Sequence, residues 1–293
     1  MLMLLLLAVF FTSLTKTFGN KKLQTIFPEG NTVYAFYALI TGVISVINFL
    51  IMTGFNPTVN FNILIISCIY GVLCRVSYVL LFKSLEYNGV FVNDAVSRVG
   101  SIIPPIVISA LILGEKQSIG TILGGIGAVV AAILPGFSSV GESQKAGRQG
   151  VVCIIAILAL NTTTTMLTKI LVNLEGAESM LSFSLFVNVF VILTSIFSLL
   201  GNFKKGGMVQ EIRLFKKEHY FLTFLVATMS NLSGYVGRYM LEFVDVIQNT
   251  IISSALAVVA TVMVALWFKE KLTKRHYISA VLSVISAVLP VVM

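Results

Sequence analysis

The tripeptide Gly114-Glu115-Lys116 is matched by Lys269-Glu270-Lys271, 155 positions later, and the stretch around it, residues 68–137, occurs twice in the chain. The same ungapped shift aligns further residues: Lys83 with Arg238, Asn93-Asp94 with Gln248-Asn249, Leu134-Pro135 with Leu289-Pro290, and Gly124, Ala128 and Ala132 with Ser279, Ser283 and Ala287. A single shift that pairs polar residues, prolines and small residues indicates internal duplication. The duplication decides the architecture that we expect.

The composition indicates whether water or lipid surrounds this protein. Its 293 residues are 57% hydrophobic and 11% charged, with a mean hydropathy of +0.98. Apolar runs of about 18 residues or more, each long enough to cross a bilayer as a helix, fill nearly the whole length. A helix in lipid satisfies its own backbone hydrogen bonds. We therefore predict an all-α, multi-pass membrane protein whose surroundings are the lipid bilayer.

Ten apolar segments predict ten transmembrane helices, at 1–18, 31–53, 61–83, 89–113, 118–136, 151–171, 180–201, 219–240, 245–268 and 273–292. A polar connector, 138–150, separates a first five-helix repeat, 1–137, from a second, 151–293. Because five is odd, two such units joined in series enter the membrane from opposite sides. The sequence thus predicts two inverted repeats, which are typical of secondary transporters with a substrate site near the midplane.

Several function classes are excluded by the distribution of charged residues and cysteines. Most of the net charge of +8 lies in short connections between spans, which argues against nucleic-acid binding. The three cysteines, Cys68, Cys74 and Cys153, lie within spans and are expected to be free. The two histidines lack the neighbours of a metal or nucleophile site, and no Walker sequence is present. We expect no enzyme activity, no metal and no cofactor.

Polar and charged residues inside the spans are the candidate substrate-binding groups, because burying them in lipid is unfavourable. Arg75 has no acidic residue three or four positions away, whereas Arg98 follows Asp94 by four, so a helical ion pair and a functional role are equally open for Arg98. The aligned polar pairs would line one cavity, with interhelical hydrogen bonding as the alternative. The candidates are Arg75, Tyr78, Asn93, Asp94, Arg98, Asn161, Thr164, Asn231, Tyr235, Gln248 and Asn249.

Three further groups of residues are expected to have structural roles. Lys16 and Lys169 lie near span ends, where lysine side chains extend to the interface. Glu115 and Glu270 precede helices and are expected to cap them. The small-residue stripe of the fifth span, which recurs in part in the tenth, predicts a close helix–helix seam: Gly120, Gly124, Ala128 and Ala132, then Ser279, Ser283 and Ala287.

Two five-helix units, each with a short Glu-containing turn before its last helix, resemble the ten-helix EamA-like members of the drug/metabolite transporter superfamily. Leu113-Gly114-Glu115-Lys116 followed by Gly124 carries the resemblance in the first unit, and Lys269-Glu270-Lys271 followed by Ser279 in the second. The second unit departs from the pattern at Lys269 and Ser279. The resemblance covers essentially the whole chain and implies a transporter whose fifth and tenth helices are peripheral scaffold.

These observations predict a secondary transporter of a small polar metabolite, an amino acid or related carboxylated compound, with alternating access to a central cavity. Two intramembrane guanidinium groups suit a carboxylate or phosphate. A broad-specificity drug or toxin exporter of the same superfamily and a non-transporting membrane scaffold are the alternatives. Proton coupling, exchange coupling and a homodimer are all open. We expect the chain in a bacterial inner (plasma) membrane.

The loop charges and the family resemblance predict opposite orientations in that membrane. Basic residues such as Lys145 and Arg148 concentrate in the loops after the odd-numbered spans, which favours cytosolic odd loops and both termini outside. The resemblance implies the reverse, because ten-helix members of the superfamily usually keep both termini in the cytosol. A reporter that is active only in the cytosol, fused after Met293, distinguishes the two orientations.

Overall fold

The computed structural model describes residues 2–26, 31–111, 117–134, 148–203, 217–269 and 272–292. Within these ranges the regular structure is helical, without strands. The α-helices are α1 (Leu2–Ile26), α2 (Asn31–Met52), α3 (Phe61–Leu111), α4 (Ile119–Ile133), α5 (Arg148–Glu175), α6 (Met180–Phe203), α7 (Lys217–Met240), α8 (Val246–Trp267) and α9 (Lys274–Val292). A 3-10 turn, Ala177–Ser179, joins α5 to α6.

Five segments in these ranges are long and apolar enough to cross a membrane: Ala35–Met52, Gly150–Glu175, Ala177–Leu200, Val246–Trp267 and Lys274–Val292. Four shorter apolar helical segments are Met3–Gly19, Phe61–Ser77, Val96–Leu111 and Ile119–Ile133. Large apolar side chains such as Phe61, Phe197 and Trp267 are exposed, as in a protein surrounded by lipid. The prediction of an all-helical protein is confirmed for these ranges, and the five long apolar helices are compatible with a membrane-embedded protein. The count of ten spans stays a prediction.

A single helix, α3, runs through both predicted spans 61–83 and 89–113. The interruption predicted at 84–88 is wrong, because that segment contains no proline and every residue keeps the N–H that a helix needs. The aligned region of the second half does break, between α7 and α8. There Asp245 caps α8 by accepting from the backbone N–H of Gln248, whose side chain accepts from the backbone N–H of Asp245. Val90 stands at the aligned position of the first half and cannot form this cap.

The helices form two compact units, and each unit takes segments from both halves of the sequence. Unit A consists of Met1–Leu14, Leu80–Ile170 and Tyr239–Met293, and unit B of Thr15–Val79 and Leu171–Arg238. The boundaries in the second half fall within four residues of those in the first half after the 155-residue shift. The chain therefore divides at nearly equivalent positions in its two halves. The repeats predicted at 1–137 and 151–293 are a statement about the sequence, and they stay a prediction.

The first turns of α4 and α9 carry related caps at aligned positions. The Ser118 hydroxyl accepts from the backbone N–H of Thr121 at 3.0 Å and lies 2.9 Å from the Thr121 hydroxyl. In the second half Thr273 and His276 occupy the aligned positions, and the backbone N–H of Thr273 donates to His276 Nδ1 at 3.1 Å. Both pairs supply side-chain hydrogen-bond acceptors for backbone N–H groups at a helix N-terminus, which have no acceptor within the helix. Local structure thus repeats together with the sequence.

Within unit A, α4 packs along α9 through contacts that occur twice. A Cβ added to Gly124 would lie 3.0 Å from the carbonyl oxygen of Ser286. Ser279, which aligns with Gly124, donates its hydroxyl hydrogen bond to the carbonyl oxygen of Ala131, which aligns with Ser286. Each contact therefore joins the same two aligned positions, with the first and second halves of the sequence in opposite roles. The predicted small-residue seam is therefore present, between the two aligned helices themselves.

The order of these contacts gives the relative direction of α4 and α9. Gly124 lies against Pro290 and Ser286, Gly127 lies against Ser286 and Leu282, and Ala131 receives the hydrogen bond from Ser279. Positions that increase along α4 meet positions that decrease along α9, so the two helices are antiparallel. Around this seam the core of unit A includes Ile102 of α3 and Ile247 and Ile251 of α8.

Within unit B, α2 and α6 are likewise antiparallel. Gly42 lies against Ile192, because a Cβ added there would be 2.8 Å from Ile192 Cγ1. Further along α2, Phe49 packs with Leu181 and Leu185, which precede Ile192 on α6. Both units therefore contain one antiparallel pair made from the corresponding helices of the two halves.

In unit B, the third helix of each half packs against the second helix of the other half. Ser67 of α3 donates to the carbonyl oxygen of Phe183 on α6 at 3.3 Å. Leu222 of α7, which aligns with Ser67, packs instead against Tyr37 of α2, together with Val226. Each third helix thus contacts the second helix of the opposite half.

Two glycine substitutions test the α4–α9 seam. Gly124→Ala should lower the free energy of unfolding by about 1–3 kcal/mol, because its Cβ would press on the backbone of Ser286. Gly234→Ala is the matched control, since its Cβ would meet only Phe49 Cζ at 3.7 Å. The control should stabilise α7 by about 0.5–1 kcal/mol through helix propensity. Thermal unfolding in detergent measures both, and equal melting temperatures for the two variants would contradict the packing described.

Candidate functional site

Arg75 is a buried cation in unit B. It lies on α3 with 8% of its surface exposed, and its Nη2 donates to the hydroxyl of Ser198 on α6 at 3.4 Å. One turn earlier Gly71 brings α3 against α6, where an added Cβ would lie 2.9 Å from the carbonyl oxygen of Val187. The close approach of the two helices holds the guanidinium inside the protein. A buried intramembrane arginine is a candidate ligand for an anion.

Two further predicted site residues of unit B lie on α7. Asn231 is 5% exposed, and its Nδ2 has no hydrogen-bond partner among the described residues. Tyr235, one turn later, is half-buried and packs against Phe49, Leu181 and Leu185. A buried amide donor with no protein partner is uncommon in folded proteins and is available to a ligand or a water molecule.

Arg98 joins α3 to α8 in unit A. Its Nη1 donates to the carbonyl oxygen of Ser254 at 2.6 Å, and the side chain is half-buried. In the second half, Ser253 aligns with Arg98 and contacts Asn249, which aligns with Asp94, through Ser253 Oγ and Asn249 Oδ1 at 3.5 Å. The second half therefore pairs the positions that the sequence analysis paired as Asp94 and Arg98.

Three predicted site residues have side chains outside the described part of the chain: Tyr78, Asn93 and Asp94. Their backbone belongs to α3, and the ion pair between Asp94 and Arg98 stays a prediction. The proposed helix caps Glu115 and Glu270 also lie outside the described residues.

Asn161 and Thr164 of α5 use their side chains within their own helix. Asn161 Nδ2 donates to the carbonyl oxygen of Ile157 at 3.0 Å, and Thr164 Oγ1 donates to that of Leu160 at 3.0 Å. Such bonds satisfy a polar group in an apolar environment without a second helix. Both residues are half-buried, and a role in substrate binding stays a prediction.

Thr162, between these two residues on α5, forms a hydrogen bond to another helix. Its hydroxyl lies 2.9 Å from the carbonyl oxygen of Gly100 on α3 and 2.9 Å from that of Leu158 in its own helix. Pro104 has no N–H, so the Gly100 carbonyl lacks the donor that an unbroken helix would supply four residues later. Thr162 supplies a donor there, which is how neighbouring helices satisfy proline-freed carbonyls in membranes.

Gln248 is engaged within the protein. Its Oε1 accepts from the backbone of Asp245, and its Nε2 donates to Thr121 Oγ1 at 3.2 Å and to the carbonyl oxygen of Pro290 at 3.3 Å. The amide thus ties the start of α8 to α4 and α9. Because these contacts use both ends of the amide, we leave Gln248 out of the site that we propose below.

Lys169 is a cation that the sequence analysis placed at the interface. It is 4% exposed, and its Nζ donates to Ser109 Oγ on α3 at 2.8 Å, so the expectation that it extends to the interface is wrong. Ser109 is fully buried. The corresponding lysine of α1, Lys16, is exposed, and α1 continues beyond the predicted span to Ile26. Nothing in the sequence distinguishes the two lysines, because burial depends on the helix that packs beside each one.

Comparisons with known proteins found a solved structure with the same fold. No protein-family model matches the chain. No curated protein matches it. A solved structure described only as "Crystal structure of protein" is similar over 98% of this chain and 98% of that chain, with a TM-score of 0.69 and 13% sequence identity. At this identity the likeness shows the fold alone, and it extends over both halves of the sequence.

A pair of threonine substitutions tests the role of Thr162. Thr162→Val keeps the shape of the side chain and removes the hydroxyl, so it should lower the free energy of unfolding by about 1–3 kcal/mol by leaving the Gly100 carbonyl without this donor. Thr163→Val is the control, because Thr163 is exposed and, among the described residues, its hydroxyl bonds to Ala159 of its own helix. It should change stability by about 0.5 kcal/mol or less. Equal melting temperatures for the two variants would show that the interhelical bond contributes nothing.

Proposed function

We propose that this chain is a secondary transporter that moves a small polar metabolite, an amino acid or related carboxylated compound, by alternating access. The observation that carries the proposal is the exchange of contacts between the two halves. Gly124 of α4 packs against the backbone of Ser286 on α9, and the aligned residue Ser279 of α9 bonds to the backbone of the aligned residue Ala131 on α4. The two helices are antiparallel. Reciprocal contacts between aligned residues are the mark of a two-fold relation.

The direction of the paired helices supports an inverted relation between the halves. A two-fold axis along the helices would make corresponding helices parallel, whereas an axis across them makes the helices antiparallel. Both pairs, α4 with α9 and α2 with α6, are antiparallel. Inverted repeats with an axis in the membrane plane are the architecture of many secondary transporters. The resemblance to EamA-like members of the drug/metabolite transporter superfamily is proposed on the same basis.

The arginine residues inside each unit also favour a transporter over a static scaffold. A scaffold needs no buried charge, since apolar packing alone stabilises helices in lipid. Here Arg75 is buried in unit B, and Arg98 bonds across two helices of unit A. Ionisable groups inside membrane proteins generally mark substrate or ion pathways.

Arginine chemistry indicates the substrate class. A guanidinium presents paired donors in a plane that matches a carboxylate or a phosphate. Unit B also contains Asn231, whose buried amide donor has no partner among the described residues, and unit A contains Asn249, which contacts Ser253. We therefore propose that each unit offers its own candidate groups for such an anion, Arg75 and Asn231 in unit B and Arg98 and Asn249 in unit A. We also propose a bacterial plasma membrane as the location.

Transport by the purified chain in proteoliposomes tests this function. A mixture of labelled L-amino acids should accumulate in vesicles with the wild-type protein, and Arg75→Gln and Arg98→Gln should each reduce uptake about tenfold or more by removing a charged hydrogen bond to the carboxylate. Lys16→Gln is the matched control, since Lys16 is an exposed cation, and it should transport like the wild type.

Two outcomes would contradict the proposal. Uptake that is the same in both arginine variants as in the wild type would remove the proposed site. Extrusion of a lipophilic cation such as tetraphenylphosphonium, without amino-acid uptake, would favour a broad-specificity exporter instead.

A further inference from the structure

Three exposed cations lie around the turn between α8 and α9 in unit A. Lys269 follows the end of α8, and Lys274 and Arg275 begin α9. No ion pair or hydrogen bond joins their side chains to the part of the chain that the structure describes. Gln248 near the start of α8 bonds to Pro290 near the end of α9, so the end of α8 and the start of α9 lie together. The three residues therefore form one basic surface cluster.

Aromatic residues place this cluster at the boundary between lipid and water. Trp267, the last residue of α8, is 76% exposed, and Tyr277, in the first turn of α9, is 50% exposed. Trp and Tyr concentrate at the two interfaces of a membrane. Since α8 and α9 are both long and apolar enough to cross a membrane, the turn between them lies at such an interface.

An exposed apolar stripe of α9 begins at the cluster. After Lys274 the exposed residues Ile278, Val281, Ile285 and Val288 follow at steps of four and three, which places them on one face of the helix. This face presents a cation at the interface and hydrocarbon beyond it. A phospholipid has the complementary order of groups, a charged phosphate followed by acyl chains.

The first half of the chain shows that the fold does not require these cations. The helix α4 packs in the same seam as α9, but Ile119 and Gly120 occupy the positions that align with Lys274 and Arg275. Cations in a first turn also oppose the helix dipole, and the first turn of α9 contains no acidic residue. The two cations therefore do not serve the stability of their helix.

Lys269 is a cation at a position whose backbone favours glycine. Its φ angle of 55° lies in the left-handed region, which glycine and asparagine adopt most readily. Gly114 stands at the aligned position of the first half. The backbone does not explain a lysine here, so the charge of its side chain is the property that remains.

We propose that Lys269, Lys274 and Arg275 bind the phosphate group of an anionic phospholipid whose acyl chains lie on the apolar stripe of α9. Charge complementarity selects this occupant, because clusters of Lys and Arg at a membrane surface attract anionic lipids and their side chains donate hydrogen bonds to phosphate. A second copy of the chain, placed by a two-fold axis, would bring the same cations together here. The inference is independent of the proposed transport function.

Fluorescence of Trp267, the only tryptophan of the chain, reports the lipid beside this cluster. The full-length protein is reconstituted in phosphatidylcholine with a small fraction of phosphatidylglycerol that carries brominated acyl chains, or with the same fraction of brominated phosphatidylcholine. Bromine quenches tryptophan at short range, so the two measurements give the local enrichment of the anionic lipid. The enrichment should be about fivefold or more in the wild type, and Lys274→Gln with Arg275→Gln should abolish most of it. Lys269→Asn should lower it in part.

Matched variants separate this site from the net charge of the protein. Lys16→Gln with Lys22→Gln removes two exposed cations from α1 and should keep the enrichment of the wild type. Lys274→Arg with Arg275→Lys preserves both charges and should keep most of it. Because all of these side chains are exposed, every variant should melt at the temperature of the wild type, which shows that it is folded.

Four outcomes would overturn the proposal. The first is equal quenching of the wild type by the two brominated lipids, and the second is an undiminished enrichment in the variant that lacks both Lys274 and Arg275. An equal loss in the α1 control would show that net charge alone attracts the lipid. Loss of the enrichment when inorganic phosphate replaces chloride at equal ionic strength would make the cluster a site for free phosphate. No uptake is measured, so each result leaves the transport function to its own test.

Discussion

The close antiparallel contact of α4 and α9 is the constraint on which the architecture of unit A depends. The helices approach until Gly124 and Gly127 leave no room for a Cβ, and Ser279 forms a hydrogen bond with the opposite backbone. In lipid, such contacts replace the hydrophobic effect as the source of helix association. Gln248 then fixes the start of α8 to this pair. The position of Arg98 follows, because its partner Ser254 lies on α8.

Backbone satisfaction is a second constraint, and it explains polar residues that a search for a binding site would otherwise claim. Asn161, Thr162 and Thr164 all satisfy carbonyl groups, and Thr162 does so where Pro104 has removed the normal donor. Polar residues in membrane helices thus divide into those that serve the backbone and those that remain for a ligand. We propose Asn231 for the second group, because its buried Nδ2 has no partner among the described residues.

The sequence predicts those features of the fold that depend on local composition. Hydropathy locates the apolar helices, and the stripe of small residues predicts the seam that Gly124 and Ser279 form. Features that depend on a neighbour in space could not be predicted. Lys16 and Lys169 look alike in sequence, but only Lys169 has Ser109 beside it. The start of α8 likewise depends on the capping box of Asp245 and Gln248, which hydropathy does not register.

The difference between α3 and the capped break at Asp245 has an energetic consequence. In the alternating cycle that we propose, identical halves would give two end states that are related by a two-fold rotation and equal in free energy. One half has an uninterrupted helix and the other a break held by a capping box, so the two end states of such a cycle would differ in free energy. A gap of a few kcal/mol leaves the less stable state at only a few per cent or less of the molecules. Under the proposed function the protein would therefore face mainly one side of its membrane at rest, and its ligand would have to offset that bias to complete a turnover.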